Sequence, residues 1–140
     1  MDRKEFLSLL GYSAASLSVL GCLGGCTKNS DNYNSTGPTN VDFTLDLSQG
    51  ANTALNKNGG YLYKDGVIVA RTKTGQFIAV QQVCTHEYNS VVYQGTYSRF
   101  YCDRHGASFS ESGVVTGGPA PRPLMKYNTS LNGTILRVYS

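Results

Sequence analysis

Tryptophan is absent from this 140-residue sequence, histidine occurs only twice, cysteine and proline four times each, and charged residues make up only 15%. Each shortage excludes something. The net charge of +3, from 12 Lys and Arg against 9 Asp and Glu, is scattered; with neither a basic arm nor an acidic tail, no nucleic acid partner is expected. Beyond the N-terminal stretch no apolar pattern runs for three helical turns, and neither a repeat nor a second domain is visible. What remains is a chain 40% apolar, long enough for one compact domain with a modest core. Sixteen Gly and ten Tyr point to a turn-rich β protein, because aromatic side chains suit the pleated sheet while Gly serves the turns.

Residues 1–25 stand apart from that domain. In MDRKEFLSLLGYSAASLSVLGCLGGC, Arg3 and Lys4 precede a segment from Phe6 to Leu23 that is apolar but diluted by Ser and Gly, the profile of a signal peptide. The order DRKEFL resembles the twin-arginine export signal, a basic pair followed one residue later by Phe-Leu, with Lys4 where the second Arg would stand. That route carries proteins already folded around a cofactor. LGGC resembles a bacterial lipobox, so Cys26 is expected to become the lipidated first residue, with Cys22 of VLGC the weaker competitor. An uncleaved anchor is the poorer reading, because a segment this short barely crosses ~30 Å of hydrocarbon and its Ser and Gly weaken a spanning helix. The domain is therefore expected to be exported and held by a lipid anchor on the periplasmic or outer-surface side of a membrane. Residues 26–40, including TKNSDNYNSTGPTN, bury too little apolar surface to offset the entropy of ordering them, and read as a flexible tether.

The folded domain is expected over 41–140. VDFTLDL places Val41, Phe43, Leu45 and Leu47 on one face and Asp42, Thr44 and Asp46 on the other, which is a half-buried strand. Asp65-Gly66 and Asn132-Gly133 each separate two β-rich runs and predict hairpins, since both pairs tolerate the positive φ of tight turns. After another turn at Thr74-Gly75, FIAVQQV is a strand that delivers the chain to Cys84, and SRFY delivers it to Cys102. The fold class is all-β, a small sandwich or barrel.

Both histidines lie beside a cysteine. VCTHEY holds Cys84-x-His86 and YCDRHGAS holds Cys102-x-x-His105, each after a strand and before turn-forming residues, so four soft or borderline ligands sit at two loop tips. A structural zinc site can use two Cys and two His, but its usual knuckle keeps both thiolates in one loop. A Cys84–Cys102 disulfide suits an exported protein yet leaves both histidines unexplained. The even split of sulfur and nitrogen suits a metal pair in which one iron takes both thiolates and the other both imidazoles.

These boxes carry a resemblance. The region from about Val41 to Ser140 resembles a Rieske 2Fe-2S domain, whose boxes are C-x-H and C-x-x-H with Gly after the second; Cys84, His86, Cys102, His105 and Gly106 match them. Downstream, SGVVTGGPAPRPLMKY resembles the Gly-Pro-rich loop that folds over the cluster in that family, here Gly118, Pro119, Ala120 and Pro121. The resemblance implies an antiparallel β-sandwich or barrel with a two-loop cluster-binding tip. It also implies one-electron transfer, with Cys84 and Cys102 on the buried iron, His86 and His105 on the outer iron, and a redox partner protein docking at the His86/His105 tip. Two ferric ions, two sulfides and two thiolates sum to zero, so the oxidised site tolerates a low-dielectric cover; reduction adds a negative charge that a proton on a ligand imidazole can offset, which makes the potential pH-dependent. With both histidines so used, no Ser-His-Asp set can be assembled and no catalytic site of the chain's own is expected.

The departures from the family pattern carry information too. Asn89 and Arg104 stand where quinol-oxidising members of the family carry two extra cysteines, so the inter-loop disulfide of those members is not possible. Ala107 and Phe109 stand where those members place a Ser and a Tyr whose hydroxyls donate to sulfur, and losing such donors lowers the potential. The expected midpoint lies in the lower half of the roughly −150 to +300 mV Rieske span, with the Arg104 charge available to offset part of the drop. Glu87 and Tyr88 replace smaller residues common after the first box, and Tyr88 is expected to pack partly exposed. The alternative is a non-redox lipoprotein whose same four residues hold a zinc or a disulfide.

Overall fold

The computed structural model describes residues 36–140; the leader, Cys22, Cys26 and the tether up to residue 35 lie outside the described residues. The fold is all-β with antiparallel pairing, as expected. Strand β1 (Asp42–Asp46) pairs with β10 (Ile135–Tyr139), which pairs with β9 (Lys126–Asn132). β9 pairs with β4 (Phe77–Gln81), followed by β3 (Val67–Arg71) and β2 (Tyr61–Lys64), giving the order β1-β10-β9-β4-β3-β2. The second sheet is a meander of β5 (Val92–Gln94), β6 (Arg99–Cys102), β7 (Ala107–Ser110) and β8 (Val115–Gly117). Its strands all fall between β4 and β9 in the chain, so the small sheet is one excursion from the large one. Among the described residues the only helices are 3-10 turns at Gly50–Asn56 and Gly95–Tyr97, and none is long and apolar enough to cross a membrane.

The alternation in β1 works as read: Val41 and Leu45 are buried and Asp42 is exposed. The β2–β3 hairpin closes on Asp65 and Gly66, both at positive φ. At the other predicted hairpin the turn sits one residue further on. Asn132 pairs with Ile135 as the last residue of β9, and the loop is Gly133-Thr134 with positive φ at Gly133 alone, which suits a turn with glycine first.

Two apolar clusters share β3 as their wall. Val67 and Val69 join Leu45, Leu55, Leu136 and Val138 in one, while Ile68 and Ala70 join Phe100, Phe109, Cys84 and Cys102 in the other. Burying each of the two phenylalanines contributes roughly 1.5–3 kcal/mol to the second cluster. Gln81, buried at the end of β4, fixes where the excursion leaves and returns. Its side-chain Nε2 donates to the Val83 carbonyl at 2.7 Å, its Oε1 accepts from Met125 N–H at 2.8 Å, and its own N–H donates to the Met125 carbonyl at 2.9 Å.

The edge of the domain lies ahead of Val41. Tyr127 donates its hydroxyl to the Pro38 carbonyl at 2.7 Å, and Gly37 is buried where a Cβ would stand 2.3 Å from Tyr127 Oη. The end of the segment read as tether is thus packed on the sheet, because a glycine lets the backbone approach that closely.

Candidate metal centre

Three loops of the excursion build the site. Regular pairing of β4 stops at Gln81, earlier than the sequence pattern indicates, and an isolated bridge between Val83 and Ser90 closes the neck of the first loop. Inside it Cys84 N–H donates to the Asn89 carbonyl at 2.8 Å, and Asn89 N–H donates to the Glu87 carbonyl at 2.7 Å, which tightens the tip. The second loop joins β6 to β7: Cys102, the last residue of β6, pairs with Ala107, and Gly106 N–H donates to the Cys102 carbonyl at 3.0 Å. Gly106 sits at φ +76°, where a side chain would be strained.

The geometry sorts the four predicted ligands by chemistry. Cys84 and Cys102 are fully buried in the apolar cluster that includes Ala107 and Phe109. His86 and His105 are exposed, and their rings meet edge to face with centroids 4.9 Å apart. Both cysteines are free, so the disulfide reading has no counterpart here. Burial pushes the Cys84 thiol up, the neighbouring Cys102 pushes the same way, and the His86 and Glu87 N–H groups work against them. A thiolate pair buried here calls for a cation beside it. Two buried sulfurs next to two exposed imidazoles are the donor set of a cluster with two unlike irons, and the residues present fit it.

The third loop, Gly118 to Arg122, lies against both boxes. Gly118 sits at φ +76°, and a Cβ there would stand 2.5 Å from the Gly106 carbonyl oxygen and 2.6 Å from Ala107 Cα, so the loop rests directly on the second box. Thr85, buried between Cys84 and His86, donates its hydroxyl to the Arg122 carbonyl at 2.7 Å and ties the same loop to the first box. Ala120 packs against the cluster that holds both cysteines, while Pro119 and Pro121 are exposed.

Glu87 and Asn89 make contacts their sequence positions did not announce, and Arg104 does less than expected. Glu87 reaches His105 Nδ1 at 2.7 Å, and one ligand atom each from His86, Glu87 and His105 lies within 4.8 Å of the others. Arg104 is 56% exposed with Nε 3.6 Å from Glu87, so its charge is paired and solvated rather than directed at the sulfurs. Asn89 is more than a missing cysteine: its Nδ2 donates to Asp103 Oδ1 at 3.0 Å and lies 3.4 Å from Cys102 Sγ. Tyr88, 69% exposed, does not cap the site.

Residues 39–128 match the family model described as Rieske [2Fe-2S] domain. This chain belongs to the Rieske 2Fe-2S family. Its cofactor is accordingly a 2Fe-2S cluster, and its chemistry is Rieske-type electron transfer. The Rieske domain is similar to the cytochrome b6-f complex iron-sulfur subunit of Chlorobaculum thiosulfatiphilum, 28% identical over 94 residues that make up 67% of this chain and 51% of that one. It is similar to the ubiquinol-cytochrome c reductase iron-sulfur subunit of Bradyrhizobium diazoefficiens, 38% identical over 58 residues, 39% of this chain and 33% of that one. The chain thus spans about half the length of these relatives or less. Among solved structures it resembles the cyanobacterial plasma membrane Rieske protein PetC3 from Synechocystis PCC 6803, with 30% identity and a TM-score of 0.52 over 74% of this chain and 100% of that one. It shares its fold with the ferredoxin of carbazole 1,9a-dioxygenase from Nocardioides aromaticivorans IC177, with 24% identity and a TM-score of 0.55 over 73% of this chain and 98% of that one.

Proposed function

We propose that this Rieske domain is a one-electron carrier, exported and held to a membrane through lipid on Cys26, that works as a tethered ferredoxin or as the Rieske subunit of an exported oxidoreductase. Cys84 and Cys102 hold the buried iron and His86 and His105 the outer one. The observation that carries the reading is the partition of the tip into two buried sulfurs and two exposed imidazoles. When bound, the cluster supplies the one-electron couple. The apolar side chains behind the cysteines and the loop tied to Thr85 keep water from the sulfur side. Each imidazole would give one nitrogen to iron; the other nitrogen of His86 is left for a partner or a proton at the surface, while His105 has Glu87 2.7 Å from its Nδ1. The likeness to a plasma membrane Rieske protein, whose solved chain this one covers in full, supports a membrane-linked carrier. A partner protein would take or give the electron at His86 and His105.

Purified protein is expected to be red-brown, with about two irons and two labile sulfides per chain and the electron paramagnetic resonance signal of a reduced Rieske cluster. A colourless protein with one zinc would overturn the reading. Cys26→Ala is expected to release the protein from the membrane fraction; retention of that variant together with release of Cys22→Ala would move the lipid to Cys22.

A further inference from the structure

Asn89 is placed with unusual care for a loop residue. Its carbonyl accepts from Cys84 N–H, its own N–H donates to the Glu87 carbonyl, and the next residue bridges to Val83. The backbone at this position is therefore fixed on both sides, and the side chain points across to the second loop. There its Nδ2 meets two acceptors, Asp103 Oδ1 at 3.0 Å and Cys102 Sγ at 3.4 Å. A primary amide carries two hydrogens, one for each, and a carboxylate can only accept, so the group turned toward Asp103 and Cys102 is the NH2. The length to sulfur suits its larger radius.

We propose that Asn89 is a positioning residue for the cluster, strapping the first loop to the second and donating a hydrogen bond to Cys102 Sγ that raises the reduction potential. The proposal rests on the reading of Cys102 as an iron ligand. A donor on a ligand sulfur stabilises the reduced state, which carries one more negative charge, more than the oxidised state. The same amide therefore joins the two loops and touches the sulfur.

Three variants of the full-length protein separate these roles. Asn89→Ala removes strap and donor, Asn89→Asp keeps the shape but replaces the donor by an acceptor, and Asp103→Ala removes the far end of the strap while leaving the amide beside the sulfur. Redox titration followed by electron paramagnetic resonance is expected to show the reduction equilibrium falling about fivefold in Asn89→Ala, equivalent to ~40 mV at 59 mV per decade, and at least as far in Asn89→Asp. Asp103→Ala, which also deletes a nearby negative charge, is expected not to lower it. The sulfur-to-iron charge-transfer absorption should shift in both Asn89 variants and hold in Asp103→Ala. An unchanged midpoint in Asn89→Ala overturns the proposal. An equal drop in Asp103→Ala also overturns it, since loop order alone would then account for the effect. So does a parent that holds its cluster while neither Asn89 variant does, because Asn89 would then serve retention rather than potential. Absence of iron and sulfide from the parent itself would instead overturn the cluster reading, before any variant is compared.

Discussion

Ala107 and Phe109 lie at the start of β7, both fully buried beside the two cysteines, and neither side chain carries a hydrogen-bond donor. The site they help form adds no hydroxyl to the Asn89 amide on Cys102 and the His86 and Glu87 N–H groups on Cys84, so the midpoint is expected in the lower half of the roughly −150 to +300 mV Rieske span. Ala107→Ser adds a hydroxyl where the family resemblance implies one that donates to sulfur. One net hydrogen bond is worth about 1 kcal/mol, so the midpoint should rise by roughly 40 mV. A redox titration that finds the parent near the top of the span, or Ala107→Ser unmoved, would count against this account. The four candidate ligands were legible as a group because each histidine stands two or three residues from a cysteine in the chain. Thr85 and Asn89 were not, since their bonds reach residues 37 and 13 positions away and only the folded backbone brings those atoms together.

Turns that depend on a few adjacent residues could be read from those residues. Asp65-Gly66 closes β2 on β3 as expected because both residues take positive φ, whereas Gly133-Thr134 needs it only at its first residue, which lets Asn132 stay in the strand. The loop over the cluster is a harder case. Its Gly-Pro content announced a rigid turn, but why Gly118 must be glycine appears only in its packing on Gly106 and Ala107. Gly118→Ala is therefore expected to cost more than Gly133→Ala. At Gly133, φ +61° strains a side chain but nothing lies within 4 Å of a Cβ, so the loss is about 1–2 kcal/mol. At Gly118 the same strain is joined by overlap with backbone atoms that cannot swing away. Thermal unfolding should rank the two variants in that order, and cluster loss on dilution should accelerate only in Gly118→Ala. Equal cluster retention in both would show that the loop does not need its contact with the second box.

Across the whole molecule, the division into a six-stranded sheet and a four-stranded excursion was not visible in the sequence, because strand pairing such as β1 with β10 joins the two ends of the domain. Local periodicity says which face of a strand is buried, not against which partner. Tyrosine hydroxyls pin these distant pieces together. Tyr127 donates to the Pro38 carbonyl and Tyr63 to the Val91 carbonyl, each at 2.7 Å, and Tyr93 donates to Glu111 at 2.6 Å. Burial pushes Tyr127 and Tyr63 up to about 12, and burial followed by Glu111 pushes Tyr93 up as well. In the unfolded chain a tyrosine ionises near ~10, so the fold favours the neutral form. Such a raised group contributes stability that is fully present below about 10 and is lost as pH rises from there through the folded value of about 12. Tyr127→Phe keeps the ring and removes the hydrogen bond. It should cost about 1 kcal/mol at neutral pH, and its deficit against the parent should shrink above about pH 10, where the parent alone pays to keep that hydroxyl neutral. Thermal unfolding of both proteins from pH 7 into the alkaline range measures the difference directly, and a deficit that stays constant across the range would mean that Tyr127 ionises as easily in the folded domain as in the unfolded chain.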